Sequence, residues 1–256
     1  MSEQKISYSR YADIKRLKFI EEQLAEHQVE SNASILDVGC GNGIISMHLG
    51  RLGYNVLGVE LSEDALEVAK KNNDLKNVEF RKENAENLKI EGLSFDVVIC
   101  SEVLEHLFEP ENLLYPLHSL LKDSGIFIAT VPNGVGPREL LVTRPYISLR
   151  KVPALLKLTD GVKNALGYKG TTIQSSASDL DHVQFFTRKQ LRKLAKATNF
   201  RIILFKASNF IDDVFPFSLV GRKSLKLQKA DAKLADALPV GMSGGYLMVW
   251  KKVIAS

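Results

Sequence analysis

The sequence predicts an α/β fold, a doubly wound parallel sheet with helices on both faces. Short β-branched runs alternate with segments of helical period over most of the 256 residues, which implies repeated strand–helix–strand units wound right-handedly. The runs 34–38 (SILDV), 95–100 (FDVVIC) and 126–131 (IFIATV) are apolar enough to be buried on both faces, as strands between two helix layers must be. Glycines cluster where the first run meets its helix, the kind of turn that lets a backbone approach a ligand closely.

Five strands are expected in the first half of the chain, at 34–38, 55–60 (NVLGVE), 78–82, 95–100 and 126–131. Between them, Ser62 followed by Glu63 and Asp64 reads as an N-cap with an acidic first turn, and Lys70 and Lys71 close that helix at its negative end. Pro110 suits a first helical position. Leu113, Leu114, Leu117, Leu120 and Leu121 then form one apolar face, Pro116 predicts a kink, and Gly125 follows the expected stop.

The alternation breaks after Pro132. Residues 133–186 carry no strand signal, and a connection of more than fifty residues is an insertion with a job rather than an ordinary loop. The expectation is a single domain over 1–256, with 133–186 as a helical, substrate-side lid within it. Val152, Leu155, Leu156, Val162 and Leu166 recur there at near-helical spacing, with Lys157 and Lys163 on other faces and Pro153 and Gly161 interrupting. An amphipathic, basic lid suits a lipophilic acceptor or peripheral contact with an anionic membrane; a lid that packs on the sheet is the alternative. Beyond it, Thr187 and Gln190 make a capping box, Leu191, Leu194 and Ala195 supply a helix face, and Asn199 suits a left-handed stop. Two last strands are expected at 201–207 and 246–254, joined through a helical LKLQKADAKLADAL.

The composition, 45% hydrophobic and 25% charged, is that of a globular chain able to bury about 70–75% of its unfolded surface without disulfides or structural metals. A polar start (MSEQKISYSR) and no apolar run near the roughly 18 residues that span a bilayer predict neither a signal peptide nor a spanning helix. Two cysteines, Cys40 and Cys100, cannot staple such a chain, so a reducing cytoplasm is expected. The net charge of +4 is unevenly spread: 138–169 hold seven basic residues against Glu139 and Asp160, and 222–233 hold five against Asp231. Such surfaces suit anionic lipid, nucleic acid or an acidic metabolite, or are merely solvated helix faces.

The sharpest feature is Asp37-Val-Gly39-Cys-Gly41-Asn-Gly43, between the first strand and its helix. Its glycines allow a tight turn against a ligand, and the helix start offers free N–H groups. Ile44 stands where a dinucleotide motif needs its last glycine, and a Walker lysine is missing, so a nucleoside without a phosphate chain fits better. Glu60 ends the second strand seventeen positions after Gly43, where a carboxylate can hold both hydroxyls of a ribose. Asn84-Ala85-Glu86 follows the third strand, offering a side-chain carbonyl and a backbone N–H to an adenine edge.

With these motifs, ILDVGCGNG, GVELS, NAENL, FDVVICSEVLEHL, IFIATVPN and DHVQFFTRKQLRKLAKATNF, the sequence resembles the class I S-adenosylmethionine-dependent methyltransferases, most of all the ubiquinone-pathway O-methyltransferase group. The resemblance implies a Rossmann-like, mostly parallel seven-stranded sheet with an antiparallel last strand. It implies S-adenosylmethionine as cofactor, with Gly39, Gly41 and Gly43 along its methionine portion, Asp37 near the ammonium, Glu60 on the ribose, Asn84 and Ala85 on the adenine and Ser101 at the sulfonium side.

Methyl transfer from a sulfonium asks a protein to align the acceptor, exclude water and sometimes remove a proton. Glu102, Glu105 and His106 follow the fourth strand, and a helix there would put all three on one face. His182 falls in the returning segment. The four make a candidate site for Mg²⁺, Mn²⁺ or Zn²⁺; without a metal, His106 or His182 is a candidate general base beside Glu102. Tyr8, Arg10 and Tyr11 could close over the cofactor or pack a surface helix. The quartet is also similar to the metal site of small-RNA 3′-terminal 2′-O-methyltransferases, so two alternatives to a small-molecule O-methyltransferase stand: a metal-dependent RNA 2′-O-methyltransferase, and a non-catalytic cofactor-binding regulatory or scaffold protein. Nucleic acid is the weaker partner, because the insertion offers only Tyr146 and Tyr168 for stacking.

Overall fold

The structure is a computed structural model that describes residues 10–138, 140–141, 183–212, 214, 217–221 and 224–254. Helix α1 (Tyr11–Glu26) precedes β1 (Ser34–Val38), α2 (Ile44–Arg51), β2 (Asn55–Glu60), α3 (Glu63–Asn72), β3 (Val78–Lys82), β4 (Phe95–Ser101), α4 (Glu111–Leu120) and β5 (Leu121–Pro132). Beyond the insertion come α5 (Arg188–Ala197), β6 (Phe200–Ala207), α6 (Phe217–Gly221), α7 (Leu225–Ala237) and β7 (Gly245–Lys252). Tyr8, the hydrophobic residues expected to build the lid and His182 lie outside the described residues.

The seven strands form one sheet in the order β3-β2-β1-β4-β5-β7-β6. β7 runs antiparallel to β5 and β6, and the remaining pairs are parallel, the arrangement the family resemblance implied. Side chains of successive strand residues point to opposite faces, so each strand feeds two cores. Leu36, Val98, Phe127 and Trp250 pack beneath Leu113 and Leu117 of α4 and Leu191 and Leu194 of α5. Ile35, Ile99, Ile128 and Val249 meet Ile20 of α1, Ile45 of α2 and Leu66 of α3 on the other side. Truncating a fully buried member such as Ile99 to alanine would cost about 2–5 kcal/mol.

The local signals held at most element ends. Ser62 Oγ accepts the Ala65 N–H at the start of α3, Thr187 and Gln190 complete a capping box on α5, and Asn199 has φ +58°. α4 runs through Pro116 without ending. Gly125, expected to follow the helix stop, instead lies inside β5: the chain passes from Leu120 directly into extended structure, and Leu121 already pairs with Phe95. The pairing slips between Phe95 and Val97, and there a Cβ on Gly125 would approach the Asp96 carbonyl oxygen to 2.8 Å.

α1 is held at its start by α7. Gln228 Oε1 accepts the Tyr11 N–H at 2.6 Å, and Lys15 Nζ pairs with Asp236 at 2.7 Å. Among the described residues no helix is long and apolar enough to cross a membrane. Strand order reverses between β1 and β4, and the crevice at their carboxyl ends is where open α/β sheets bind ligands.

Candidate active site

The glycine loop leaves β1 at this crevice. Gly39 and Cys40 both donate N–H bonds to the Val59 carbonyl, at 2.8 and 3.1 Å, which presses the loop against β2. Gly39, Gly41 and Gly43 take φ of +69°, +53° and +75°, a region costly for residues with a Cβ. Protein packing also demands two of them: a Cβ on Gly39 would lie 2.4 Å from Val103 Cγ2, and one on Gly43 2.4 Å from Phe80 Cζ.

Two carboxylates flank the loop. Asp37 is 1% exposed, and its Oδ2 accepts the Ser46 hydroxyl at 2.6 Å. Burial pushes its pKa up to about 7; the Ser46 bond opposes the rise and the charge of Glu60 adds to it. Glu60 Oε2 accepts the Gly41 N–H at 3.0 Å, while Oε1 accepts from Leu61 and Ser62 at 2.8 and 3.0 Å. Beside it, Glu83 donates its N–H to the Glu60 carbonyl, and Asn84 Oδ1 accepts the Glu86 N–H at 2.9 Å. Asn84 and Ala85 are thus presented at the edge next to Glu60, with the Asn84 carbonyl keeping a second lone pair.

At the end of β4, Ser101 Oγ lies 3.1 Å from Thr130 Oγ1, which donates to Glu102 Oε1 at 2.8 Å. Arg16 of α1 reaches the same Glu102 oxygen at 3.4 Å and also faces Asp13 at 3.6 Å. Glu102 itself has φ +57°, a conformation that a non-glycine residue keeps only when its surroundings enforce it.

That backbone corrects the expectation of one helical face for Glu102, Glu105 and His106. The left-handed Glu102 ends β4, and only a three-residue 3₁₀ turn, Leu104–His106, follows. Glu102 therefore turns towards Thr130 and Arg16. Glu105 turns inward, 1% exposed, with neither carboxyl oxygen hydrogen-bonded and His106 Nε2 3.9 Å away. Burial pushes its pKa well up and the charge of Glu102 adds to the rise; the charge of Arg16 opposes it. The Glu105 carbonyl accepts the N–H groups of Val183 and Gln184, both at 2.9 Å, so the chain returning from the insertion does reach this edge. Among the described residues no three His, Cys, Asp or Glu side chains are placed to hold a metal.

Arg16, Thr130 and Asn133 were not anticipated at the crevice. Asn133 is fully buried; its Nδ2 donates to Gly241 at 2.9 Å and Ser243 at 2.7 Å, fixing the turn before β7 beside the end of β5. A polar residue inside or just after a buried apolar strand was the available signal for Thr130 and Asn133. Arg16 had none, being one cation among several on an amphipathic helix.

A doubly wound sheet with β7 antiparallel, a glycine loop after β1 and an acidic residue ending β2 define a class I methyltransferase architecture. The chain belongs to the methyltransferase domain family, which it matches over residues 8–204. It is 38% identical over 143 residues to the mitochondrial ubiquinone biosynthesis O-methyltransferase of Schizosaccharomyces pombe, covering 54% of this chain and 52% of that protein. It is 34% identical over 119 residues to the ubiquinone biosynthesis O-methyltransferase of Coxiella burnetii, 45% of this chain and 49% of that one. The chain thus spans about half the length of these curated relatives. Its fold is shared with a SAM-dependent methyltransferase from Methanosarcina mazei (TM-score 0.59, 18% identity, 91% and 98% coverage). It is shared too with the magnesium protoporphyrin IX methyltransferase of Synechocystis, solved with bound SAH (TM-score 0.56, 16% identity, 94% and 84% coverage).

Proposed function

We propose that this chain is a cytoplasmic enzyme that transfers a methyl group from S-adenosylmethionine to an oxygen of a small, lipophilic or glycosylated acceptor. The observation that carries the reading is the Glu60 carboxylate held against the Gly41 N–H at the switch point of the sheet. Glu60 keeps a free acceptor site on Oε2 for a ribose hydroxyl, Asn84 and Ala85 face the adenine edge, and Gly39, Gly41 and Gly43 leave room for the methionine portion. Asp37 favours the ammonium from beneath the loop, Arg16 is the cation suited to the carboxylate, and Ser101 lies on the sulfonium side.

When bound, the cofactor supplies an already activated methyl on a cationic sulfur. The chain must orient the acceptor hydroxyl in line with it and accept the proton released as the C–O bond forms. His106, the described imidazole at this edge, is assigned as that base; Glu102, fixed by Thr130 and Arg16, orients the approach. A divalent metal on Glu102, Glu105, His106 and His182 does not fit the described residues, of which no three are placed to hold one and where Glu102 turns to Thr130 and Arg16, so no step is routed through a metal. The insertion at 133–186 is assigned as the acceptor lid and a peripheral membrane contact.

The test is acceptor profiling with methyl-labelled cofactor, with and without chelator. Label on a hydroxyl oxygen of a lipophilic or glycosylated acceptor, insensitive to chelator, is the expected result. Cofactor binding with no transfer to any acceptor, or transfer to carbon or nitrogen alone, overturns the proposal.

A further inference from the structure

Glu86 is the member of the Asn84-Ala85-Glu86 triplet that the cofactor reading leaves unused. Asn84 Oδ1 accepts the Glu86 N–H and the Asn84 carbonyl accepts the Asn87 N–H at 3.0 Å, so the backbone turns sharply through a three-residue 3₁₀ segment, Ala85–Asn87. From this turn the Glu86 side chain reaches a different part of the chain. Its Oε1 accepts the Phe108 N–H at 3.0 Å, a contact between residues 22 positions apart. The loop after β3 is thereby joined to the far end of the Leu104–His106 turn that follows β4.

Phe108 is held from its other side as well. Its carbonyl accepts Gln184 Nε2 at 3.0 Å, beside the bonds that the Val183 and Gln184 N–H groups donate to the Glu105 carbonyl. The Phe186 carbonyl in turn accepts the Gly134 N–H at 2.9 Å, which ties the same segment to the end of β5. Leu104 and Leu107 anchor the turn in the core, and Ala85 packs against the same cluster. His106 therefore rides on a turn fixed by the core beneath it, by the segment that enters α5, and by the Glu86 carboxylate. The last of these differs in kind. Phe108 is 74% exposed and its bond to Glu86 is open to solvent, so water can satisfy both groups when the bond is absent. Breaking it strands no buried polar group, the usual reason for a large loss of stability.

We propose that Glu86 is a positioning residue that links occupancy of the adenine site at Asn84 and Ala85 to the placement of the turn carrying His106. The inference rests on the cofactor assignment made above and adds the side chain through which that site reaches the base. Peptide units are planar and the Ala85–Asn87 turn is tight, so a ligand that fixes Asn84 Oδ1 and the Ala85 N–H also fixes the direction in which the Glu86 side chain leaves the backbone. An exposed glutamate loses side-chain freedom when it is held in one orientation, and a loop already ordered by a ligand has less freedom left to lose. The cofactor thus favours the linked form, and by reciprocity the link favours the cofactor by the same factor. Small displacements of a group that works on the reacting atoms are costly to rate. Arrival of the cofactor, and not folding alone, sets His106 in place.

The test is amide hydrogen exchange of the full chain, read residue by residue by NMR with and without saturating S-adenosylmethionine, beside calorimetric measurement of cofactor affinity. In the wild type the Ala85 and Phe108 amides should both slow when the cofactor binds, Phe108 by about fivefold. Glu86→Ala should abolish the Phe108 response and weaken cofactor binding by a similar factor, with the thermal midpoint unchanged. Glu86→Gln keeps an acceptor oxygen and should restore both, which a role in packing or net charge would not predict. Should Glu86→Ala misfold, the wild-type exchange and Glu86→Gln still decide. Three results overturn the proposal: a Phe108 amide that ignores the cofactor while Ala85 responds, a Glu86→Ala variant with wild-type affinity, or a Glu86→Gln variant that behaves as Glu86→Ala. Bound cofactor that leaves the Ala85 amide unchanged refutes the adenine assignment itself, and the inference falls with it.

Discussion

Glu60 Oε2 accepts the Gly41 N–H at 3.0 Å while Oε1 of the same carboxylate accepts the Leu61 and Ser62 N–H groups. One side chain therefore ties the glycine loop to the turn that opens α3. Removing it takes away the ribose acceptor and the loop's tether together. Glu60→Ala should weaken S-adenosylmethionine binding by about 1.5–3 kcal/mol, the worth of hydrogen bonds to a charged group. Calorimetry showing wild-type affinity in that variant would remove Glu60 from the site.

Asp37 makes the cofactor site pH-dependent. Its folded pKa of about 7 lies above the ordinary 3.8 because the carboxyl is buried, so the native state keeps a proton that the unfolded chain gives up. Its contribution to stability is complete below about pH 4 and is lost as pH rises through 7, on the order of 4 kcal/mol in all. Denaturant titrations across that window should show a decline in the wild type and a flatter profile in Asp37→Asn. A bound ammonium favours the ionised form, so cofactor binding should release a proton near pH 6 and none well above pH 7. Calorimetry in buffers of different ionisation enthalpy reads that difference directly, and equal proton release at both values would dissociate Asp37 from the ammonium.

Gly43 is held to glycine by Phe80 as well as by its own backbone. With φ +75° and Phe80 Cζ 2.4 Å from a Cβ, Gly43→Ala should destabilise the fold by about 2–4 kcal/mol, part backbone strain and part overpacking. Adding Phe80→Leu should recover the packing part and leave the backbone part. Strictly additive losses in the double variant, measured by denaturant unfolding, would show that Phe80 is not what excludes the methyl group.

The elements that were legible in the sequence carry their signal locally. β1 and β4 are uninterrupted apolar runs, Thr187 and Gln190 stand three apart before a periodic helix, and Asn199 is a residue that tolerates positive φ. What escaped depended on distant neighbours. The spacing of Glu102, Glu105 and His106 matches a helix, but Glu102 is drawn into the left-handed region by Thr130 and Arg16, and neither interaction has a local pattern. Gly125 reads as a helix stop until the approach of the Asp96 carbonyl is known.

Glu105 decides between a neutral acid and a metal ligand at the edge of β4. Its carboxyl is buried without a hydrogen bond, and His106 at 3.9 Å is too far to supply one. Burial and the nearby charge of Glu102 favour the protonated carboxyl against the opposing charge of Arg16, and its pKa rises well above 4.5. Glutamine has nearly the same shape and is also neutral. Glu105→Gln should therefore stay within ~1 kcal/mol of the wild type near pH 5, where little charge is lost by the exchange. As pH rises the wild type should lose stability, because its unfolded chain ionises above 4.5 and its folded state resists, while the variant should not. Methyl transfer should persist in Glu105→Gln and in the presence of chelator. A divalent ion bound through Glu105 predicts the reverse on every count: a variant that loses metal, loses activity and cannot be rescued by added Mg²⁺, Mn²⁺ or Zn²⁺.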